Sequence, residues 1–174
     1  LGGGGHAAVV ADAAAAAGWT IAGFLDDDAS ASLPGLSRLG AIPDLPRVVK
    51  DRRTAIHAAV GDGRLREKWL AMSGSAPAAT IVHPTAVISP SARLGEGVFI
   101  GPGAIVNARA RGERGVIINS VAVIEHDCVV GAFAHIAPRA ALGGGAAVGA
   151  NALVGIGAAM LPGLRIGAGA VVGA

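Results

Sequence analysis

The chain has 174 residues, 28 of them glycine and only 3% aromatic, so an aromatic-rich core is excluded and alanine, valine, isoleucine and leucine must supply the packing. The formal net charge is +2, with eight basic and eight acidic residues in 1–79 and six basic and four acidic residues in 80–174. Neither part carries the clustered positive charge that nucleic-acid binding requires, so we expect no nucleic-acid partner.

A glycine-rich turn opens the chain. It leads through His6 into an alanine-rich run over residues 7–17, which has high helix propensity and is expected to end at Gly18. Residues 21–25 read as a buried strand, and the aspartates 26–28 follow the glycines by about twenty residues. This order is typical of a nucleotide-binding βαβ unit, in which a helix N-terminus faces a phosphate and an acidic residue receives a ribose or sugar. Alone, it fits a tight turn and a solvated acidic loop equally well.

Further elements extend this region into a small α/β domain. We predict a short helix over residues 45–51, a third strand over 55–60 and a helix over 64–72, where the apolar residues have helical spacing. A small, polar linker follows. The predicted first domain is therefore a Rossmann-like unit over residues 1–75.

From residue 82 onward, an apolar residue recurs at every sixth position, and only Gly112 breaks the series. A small or compact residue stands four positions after nearly every member of the series. The position directly after the apolar residue is often glycine, where we expect the backbone to bend. A period of six is neither helical nor a plain strand alternation, but it is the hexapeptide signature of a parallel β-helix. Three hexapeptides make one coil, so residues eighteen apart should stack, and the predicted second domain covers residues 80–174. The series is Val82, Ile88, Leu94, Ile100, Val106, Gly112, Ile118, Ile124, Val130, Ile136, Leu142, Val148, Val154, Met160, Ile166 and Val172.

Three features bear on the compartment and the chain ends. Residues 140–164 carry no charge, but their glycine spacing and Pro162 belong to the six-residue register, so we expect no membrane helix. The single cysteine, Cys128, occupies a small inward position and allows no disulfide within one chain, which fits a reducing cytoplasm. Because the chain begins at Leu1 rather than Met and stops within a hexapeptide, we expect a first strand and a C-terminal end to lie outside it.

Polar side chains in the repeat array concentrate in one coil. Asn119, Glu125, His126, Asp127 and His135 fall within seventeen residues. A histidine flanked by two carboxylates is a candidate general base, because a nearby negative charge favours the imidazolium and a hydrogen bond fixes the tautomer. In an extended strand, residues 125 and 127 point away from residue 126, so a contact with the ring requires a corner bend or a neighbouring chain. The sequence does not choose between Glu125 and Asp127 as the partner of the ring, and alone His126 also fits a solvated surface histidine.

Several motifs taken together resemble one family along nearly the whole chain. They are similar to those of the sugar acyltransferases that include sialic acid O-acetyltransferases and the UDP-4-amino-sugar N-acetyltransferases of bacillosamine synthesis. The motifs are the glycine turn ending in His6, the FLDDD stretch at 24–28, the IVHP stretch at 81–84, Ile118-Asn119, the VIEHDCVVG stretch at 123–131, and His135.

This resemblance implies a left-handed parallel β-helix, an exception to the usual right-handed crossover, behind an N-terminal domain that holds a sugar nucleotide. It also implies a cytoplasmic homotrimer with acetyl-CoA bound in a groove between adjacent β-helices. The chain departs from the family in having four successive glycines in its turn, and in having Gly63 where members have asparagine.

The resemblance also implies roles for individual positions. His126 matches the catalytic base, and Asp127 matches the adjacent acid that raises its basicity. The positions that match contacts to the acetyl donor or coenzyme are Asn119, His135, Gly144 and Ile156. The positions that match substrate contacts are Gly4, Gly5, His6, Asp26 and Asp27.

The expected reaction is direct transfer, in which a sugar amine attacks the thioester of acetyl-CoA while His126 removes its proton. A backbone N–H within residues 143–145 is the expected oxyanion donor, and Cys128 is expected to be a bystander. We expect no metal. Three alternatives remain: an O-acetyltransferase that uses the same histidine, a zinc carbonic anhydrase of the γ type with His83, His126 and His135 as ligands, and a scaffold that only binds a sugar nucleotide.

Overall fold

The computed structural model describes residues 1–49 and 53–174. The N-terminal part has a long first helix, two short parallel strands and two further helices, with one 3₁₀ turn before the second helix. The elements are α1 (Gly5–Ala16), β1 (Phe24–Leu25), β2 (Arg38–Gly40), the 3₁₀ turn Ile42–Asp44, α2 (Leu45–Val48) and α3 (Gly63–Ala71). Helix α1 begins two residues before the predicted run, and Gly18, with a φ of +83°, ends it as expected.

The N-terminal strands are shorter than predicted. The strand expected over residues 21–25 is confined to β1. The prediction of a strand over residues 55–60 was wrong, because Ile56 makes only an isolated parallel bridge with Ala78 instead of a continuous ladder. Helix α2 ends at Val48, and residues 50–52 of the predicted helix lie outside the described residues.

The C-terminal part is a prism of two-residue strands. Its three parallel sheets are sheet I (β18-β15-β12-β9-β6-β3), sheet II (β16-β13-β10-β7-β4) and sheet III (β17-β14-β11-β8-β5). The strands are β3 (Ile81–Val82), β4 (Val87–Ile88), β5 (Arg93–Leu94), β6 (Phe99–Ile100), β7 (Ile105–Val106), β8 (Arg111–Gly112), β9 (Ile117–Ile118), β10 (Val123–Ile124), β11 (Val129–Val130), β12 (His135–Ile136), β13 (Ala141–Leu142), β14 (Ala147–Val148), β15 (Leu153–Val154), β16 (Ala159–Met160), β17 (Arg165–Ile166) and β18 (Val171–Val172).

The six-residue period and the stacking of residues eighteen apart are confirmed. Ile124 pairs in parallel with Val106 of the preceding coil and with Leu142 of the following coil. All three side chains are at most 1% exposed and lie in one apolar interior. Each coil thus covers the interior of the next, as in other solenoids.

Four turn residues separate successive strands of the prism. The sequence predicted a backbone bend at the first of these four positions, where glycine is frequent, but the bend lies at the third. From Gly97 onward the third turn residue takes the left-handed conformation, and six non-glycine residues adopt it, among them Arg109, Asp127 and Arg139. The glycines at the first turn position serve close coil contact instead, since a Cβ on Gly101 would lie 2.8 Å from the Ser120 nitrogen. The second turn position needs no N–H for the ladder, which explains why Pro102 and Pro138 are accepted there.

The N-terminal part packs on the outward face of sheet I. One face of α1, including Val10, clusters with Phe24 and with Ile81, Phe99 and Ile117 of the sheet. Along the described residues, no helix is long and apolar enough to cross a membrane.

Candidate active site

His126 lies at the corner between sheets II and III, in the turn that joins β10 to β11. Its Nδ1 is 2.8 Å from Oδ2 of Asp127, the next residue. The corner bend makes this contact possible, because Asp127 has a φ of +61° and its carboxylate turns back toward the ring. Glu125 accepts a hydrogen bond from Asn107 Nδ2 at 3.0 Å, so Asp127 is the carboxylate that orients His126.

Asp127 is also held from the preceding coil. Arg109 donates to its Oδ1 from Nε at 2.6 Å and to its Oδ2 from Nη2 at 2.7 Å. These hydrogen bonds, with a smaller contribution from His126, hold the pKa of Asp127 well below its usual range. An ionised carboxylate accepts only, so the neutral imidazole must carry its proton on Nδ1, and Nε2 keeps a free lone pair.

The ring of His126 rests on Gly144, which holds the same turn position one coil further on. A Cβ on Gly144 would lie 2.6 Å from Nε2. Gly143 N donates to Met160 O and Gly145 N donates to His126 O, both at 2.9 Å. In the described part of the chain, the Gly144 N–H has no such backbone acceptor.

Asn119 and His135 form a second polar pair, which borders the N-terminal part. Asn119 Nδ2 is 3.1 Å from His135 Nε2, and its Oδ1 accepts from Ser120 N at 2.8 Å, which fixes the amide orientation. Burial, aided by the positive charge of Arg66, lowers the pKa of His135 to about 4. His135 is therefore a neutral ring with Nε2 already occupied, which suits it to binding rather than to proton abstraction.

The two pairs stand at different corners of the same prism. Asn119 opens the turn that leads into β10, and His126 lies in the turn that leaves β10, so the width of sheet II separates them. The sequence placed them in one coil, and they are in one coil, but the chain does not bring them into contact.

A cavity of about 200 Å³ adjoins His135, between the N-terminus of α3 and sheet I. Asp62 caps α3 by accepting from Leu65 N at 2.9 Å. Asn151 also lines the cavity, and its Oδ1 is buried without a hydrogen bond among the described residues. A Cβ on Gly63 would lie 2.5 Å from Phe133 O and 2.6 Å from that oxygen, so a side chain at this position would require these neighbours to shift.

His6 follows the glycine turn and packs edge-on against Phe99, with ring centroids 5.3 Å apart. Its ring centroid is 6.3 Å from that of His135. Burial first, and Arg66 second, lower the pKa of His6 to about 4, so this ring is also neutral near pH 7. Its Nε2 is buried and has no partner within residues 1–49 and 53–174.

Gly4 and Gly5 are exposed at the start of α1, as a phosphate-binding turn requires. The two aspartates already have backbone partners. Asp26 accepts from Gly3 N at 2.6 Å, and Asp27 accepts from Ile42 N at 2.9 Å. Both carboxylates therefore shape the turn itself and retain further acceptor capacity for a ligand.

Ile156 and Cys128 complete the predicted set. Ile156 is 62% exposed at the corner between sheets I and II, and is therefore accessible to a ligand. Cys128 has no exposed surface, and burial raises the pKa of its thiol. A buried, protonated thiol is a poor nucleophile, so Cys128 stays outside the candidate site.

Arg66 and Arg109 are two site-supporting residues that the sequence did not predict. Arg66 is 1% exposed and donates to five backbone carbonyls, those of Val60, Gly61, Gly115, Phe133 and Ala134. It thereby ties the loop before α3 to the turn that precedes His135. The eighteen-residue stacking rule contained the signal for Arg109, because it places that side chain directly beside Asp127.

Comparison with known proteins identifies the family. Residues 1–72 match the family described as the PglD N-terminal domain. A variant of perosamine N-acetyltransferase from Caulobacter crescentus, solved with CoA and GDP-perosamine, is 40% identical, with a TM-score of 0.96 over 99% of this chain and 83% of that chain. The acetyltransferase domain of PglB from Neisseria gonorrhoeae FA1090, solved with acetyl coenzyme A, is 34% identical, with a TM-score of 0.94 over 99% and 85% of the two chains. The chain belongs to the hexapeptide-repeat acetyltransferase family.

Family membership confirms the resemblance that the motifs carried and, with it, the left-handed parallel β-helix behind an N-terminal α/β domain. The γ-type zinc alternative requires its histidines to come from two chains. Within residues 1–49 and 53–174, no three histidine, cysteine, aspartate or glutamate side chains group closely enough to hold a metal ion.

The contact between Gly144 and His126 gives a specific test for this hexapeptide-repeat acetyltransferase. Gly144→Ala is expected to lower kcat by about 10-fold, because the new methyl group displaces the imidazole. Stability should change little, since the displaced atoms belong to an exposed side chain and Ala108 and Ala150 already occupy this turn position elsewhere. Steady-state kinetics and a thermal melt measure both effects, and Gly167→Ala, where a Cβ meets nothing within 4 Å, is the control. Unchanged kcat would show that ring placement on Gly144 does not matter.

Proposed function

We propose that this chain transfers the acetyl group of acetyl-CoA to the amine of a nucleotide-linked amino sugar. The observation that carries the proposal is the His126–Asp127 pair, whose free Nε2 lies against Gly144, a residue whose own N–H has no backbone acceptor among the described residues. The relatives support the chemistry, since one at 40% identity was solved with CoA and GDP-perosamine and another at 34% with acetyl coenzyme A.

In the proposed mechanism, His126 acts as general base and then as general acid. Nε2 removes a proton from the sugar amine as the nitrogen attacks the thioester carbonyl, and Asp127 stabilises the imidazolium that forms. When the tetrahedral intermediate collapses, the C–S bond breaks and the imidazolium returns its proton to the CoA sulfur. The products are an amide and free CoA thiol, and no acyl-enzyme forms.

Gly144 is the proposed oxyanion donor. Of the three N–H groups in residues 143–145, the outer two are engaged at 2.9 Å with Met160 O and His126 O. The N–H of Gly144 is the remaining donor, and it is fixed by the turn before substrate arrives. A preorganised donor of this kind stabilises charge that develops on the carbonyl oxygen without reorganisation.

Asn119 and His135 are the proposed acetyl-donor contacts, with Gly144 and Ile156 along the coenzyme path. The glycine turn, His6 and the aspartates are the proposed sugar-nucleotide contacts. We assign the acceptor as an amine over a hydroxyl because the Caulobacter relative is named as an N-acetyltransferase. The motifs resemble UDP-sugar enzymes, whereas the Caulobacter relative was solved with GDP-perosamine, so the test below includes a nucleotide sugar with each base.

A homotrimer is the proposed assembly, working in the cytoplasm where acetyl-CoA and nucleotide sugars are made. The separation of His126 from the Asn119–His135 pair supports it, because a neighbouring copy would bring one chain's base to another chain's binding cavity. The outward residues of sheet II supply an uncharged packing face. They are Val87, Ile105, Val123, Ala141 and Ala159, and Val87 is 63% exposed.

The test follows free thiol release from acetyl-CoA with GDP-perosamine, a UDP-linked 4-amino sugar and a sialic acid as acceptors. Turnover with an amino sugar, and a product whose added acetyl group is an amide by mass spectrometry, are expected. Turnover only with the hydroxyl acceptor would move the assignment to an O-acetyltransferase, and nucleotide-sugar binding without thiol release would favour a scaffold. Light scattering on the same preparation should give three times the mass of one chain.

A further inference from the structure

The turn that carries His126 is braced by the coil before it. Arg109 and Asp127 are third turn residues of successive coils, with φ values of +60° and +61°, and are eighteen residues apart. Their side chains therefore start from equivalent backbone positions and meet along the prism axis. The guanidinium forms two parallel hydrogen bonds to the carboxylate, from Nε at 2.6 Å and from Nη2 at 2.7 Å. This bidentate geometry fixes the plane of the carboxylate as well as its position.

The side-chain carboxylate of Asp127 has two hydrogen-bond partners among the described residues, Arg109 and His126. Oδ2 receives both Arg109 Nη2 and His126 Nδ1, the latter at 2.8 Å. The side chains of His126 and Asp127 are 59% and 45% exposed, so packing does not lock either one. The direction of the imidazole therefore depends on the carboxylate, and the direction of the carboxylate depends on Arg109.

We propose that Arg109 is a positioning residue for acetyl transfer, acting through Asp127 to hold His126 with its proton on Nδ1 and its Nε2 toward Gly144. This inference rests on the proposed function, because it assumes that His126 is the base. Arg109 is not itself a catalytic residue, since nothing places it against the reacting atoms. Its contribution is to orientation, and an exposed ion pair of this kind adds little to fold stability.

A matched pair of variants tests the proposal. Arg109→Met is expected to lower kcat by about 10-fold or more, the usual effect of losing a partner that orients a reactive side chain, while KM for acetyl-CoA stays unchanged. Arg139→Met is the control, because Arg139 occupies the same turn position with a φ of +62°. Among the described residues Arg139 forms no ion pair with an acid. Arg109→Lys keeps the charge without the fork and should recover part of kcat.

A second readout does not depend on turnover. The ¹⁵N chemical shifts of the His126 ring in the resting protein report which nitrogen carries the proton. We expect the Nδ1–H form in the native chain and in Arg139→Met, and a mixture of tautomers in Arg109→Met.

Each outcome separates this inference from the proposed function. An unchanged kcat and tautomer in Arg109→Met would overturn the inference and leave the proposed function standing. Equal losses of kcat in Arg109→Met and Arg139→Met would also overturn it, because the effect would then belong to the turn. If the native chain shows no turnover with any acceptor, yet the tautomer shifts in Arg109→Met alone, the proposed function fails and with it the role of Arg109 in acetyl transfer, whereas the orientation of the His126 ring by Arg109 is upheld.

Discussion

Replacing His126 with alanine is expected to lower kcat for acetyl transfer by about 10²- to 10⁴-fold, the range associated with loss of a general base. The attacking amine must lose a proton as the C–N bond forms, and in the variant only water can accept it. KM for acetyl-CoA should change much less than kcat, because the imidazole acts in the transition state rather than in ground-state binding. Initial rates of thiol release, with acetyl-CoA and sugar varied separately, measure both constants.

His83→Ala is a suitable control for this experiment. His83 also lies in a turn of the β-helix, where its Nδ1 contacts Thr85 Oγ1 at 2.8 Å, with no contact to the His126 turn. The side chain of His126 is 59% exposed, so its removal should leave the Tm close to that of the native chain. Equal kcat in His126→Ala and the native chain would remove His126 from the mechanism whatever the acceptor.

The solenoid was predictable because its sequence period is its structural period. Each interior residue from Val82 to Val172 recurs at the same point of a coil, so spacing alone gave the register, the stacking partners and the buried position of Cys128. The bend was misplaced because glycine serves two purposes in such a coil. At the first turn position it permits close contact between coils, whereas the left-handed third position also accepts arginine, aspartate and asparagine.

The candidate site was predictable in its residues but not in its contacts. Sequence could not choose between Glu125 and Asp127 as the partner of His126, because the choice depends on a turn conformation that carries no distinctive residue type. The helix before the linker shows a second limit. Its apolar residues have helical spacing, but Leu65 is 38% exposed, whereas Arg66 is buried. The acceptors of Arg66 are backbone carbonyls, and sequence does not reveal a cluster of those.

Arg66→Met is expected to lower the free energy of unfolding by about 3 to 5 kcal/mol, at the upper end for a single substitution. Methionine fills much of the space but donates no hydrogen bonds, so the five carbonyls that face the guanidinium lose their donor. Arg64→Met is the control, because Arg64 lies on the same helix and is exposed. Urea unfolding of both variants gives the difference, and equal midpoints would show that the buried guanidinium does not stabilise the fold.

The two parts of the chain can be followed separately in that experiment. Both tryptophans, Trp19 and Trp69, lie in the N-terminal part, so their fluorescence reports the unfolding of that part. Far-UV circular dichroism reports secondary structure in both parts, the β-helix included. Because Arg66 joins the loop before α3 to the Phe133–Ala134 turn, Arg66→Met should move the fluorescence transition to lower urea by more than the dichroism transition. The β-helix keeps its own apolar interior in the variant, so two separated transitions are expected in place of one. Coincident shifts would mean instead that the interior of the prism is itself only stable with the N-terminal part attached.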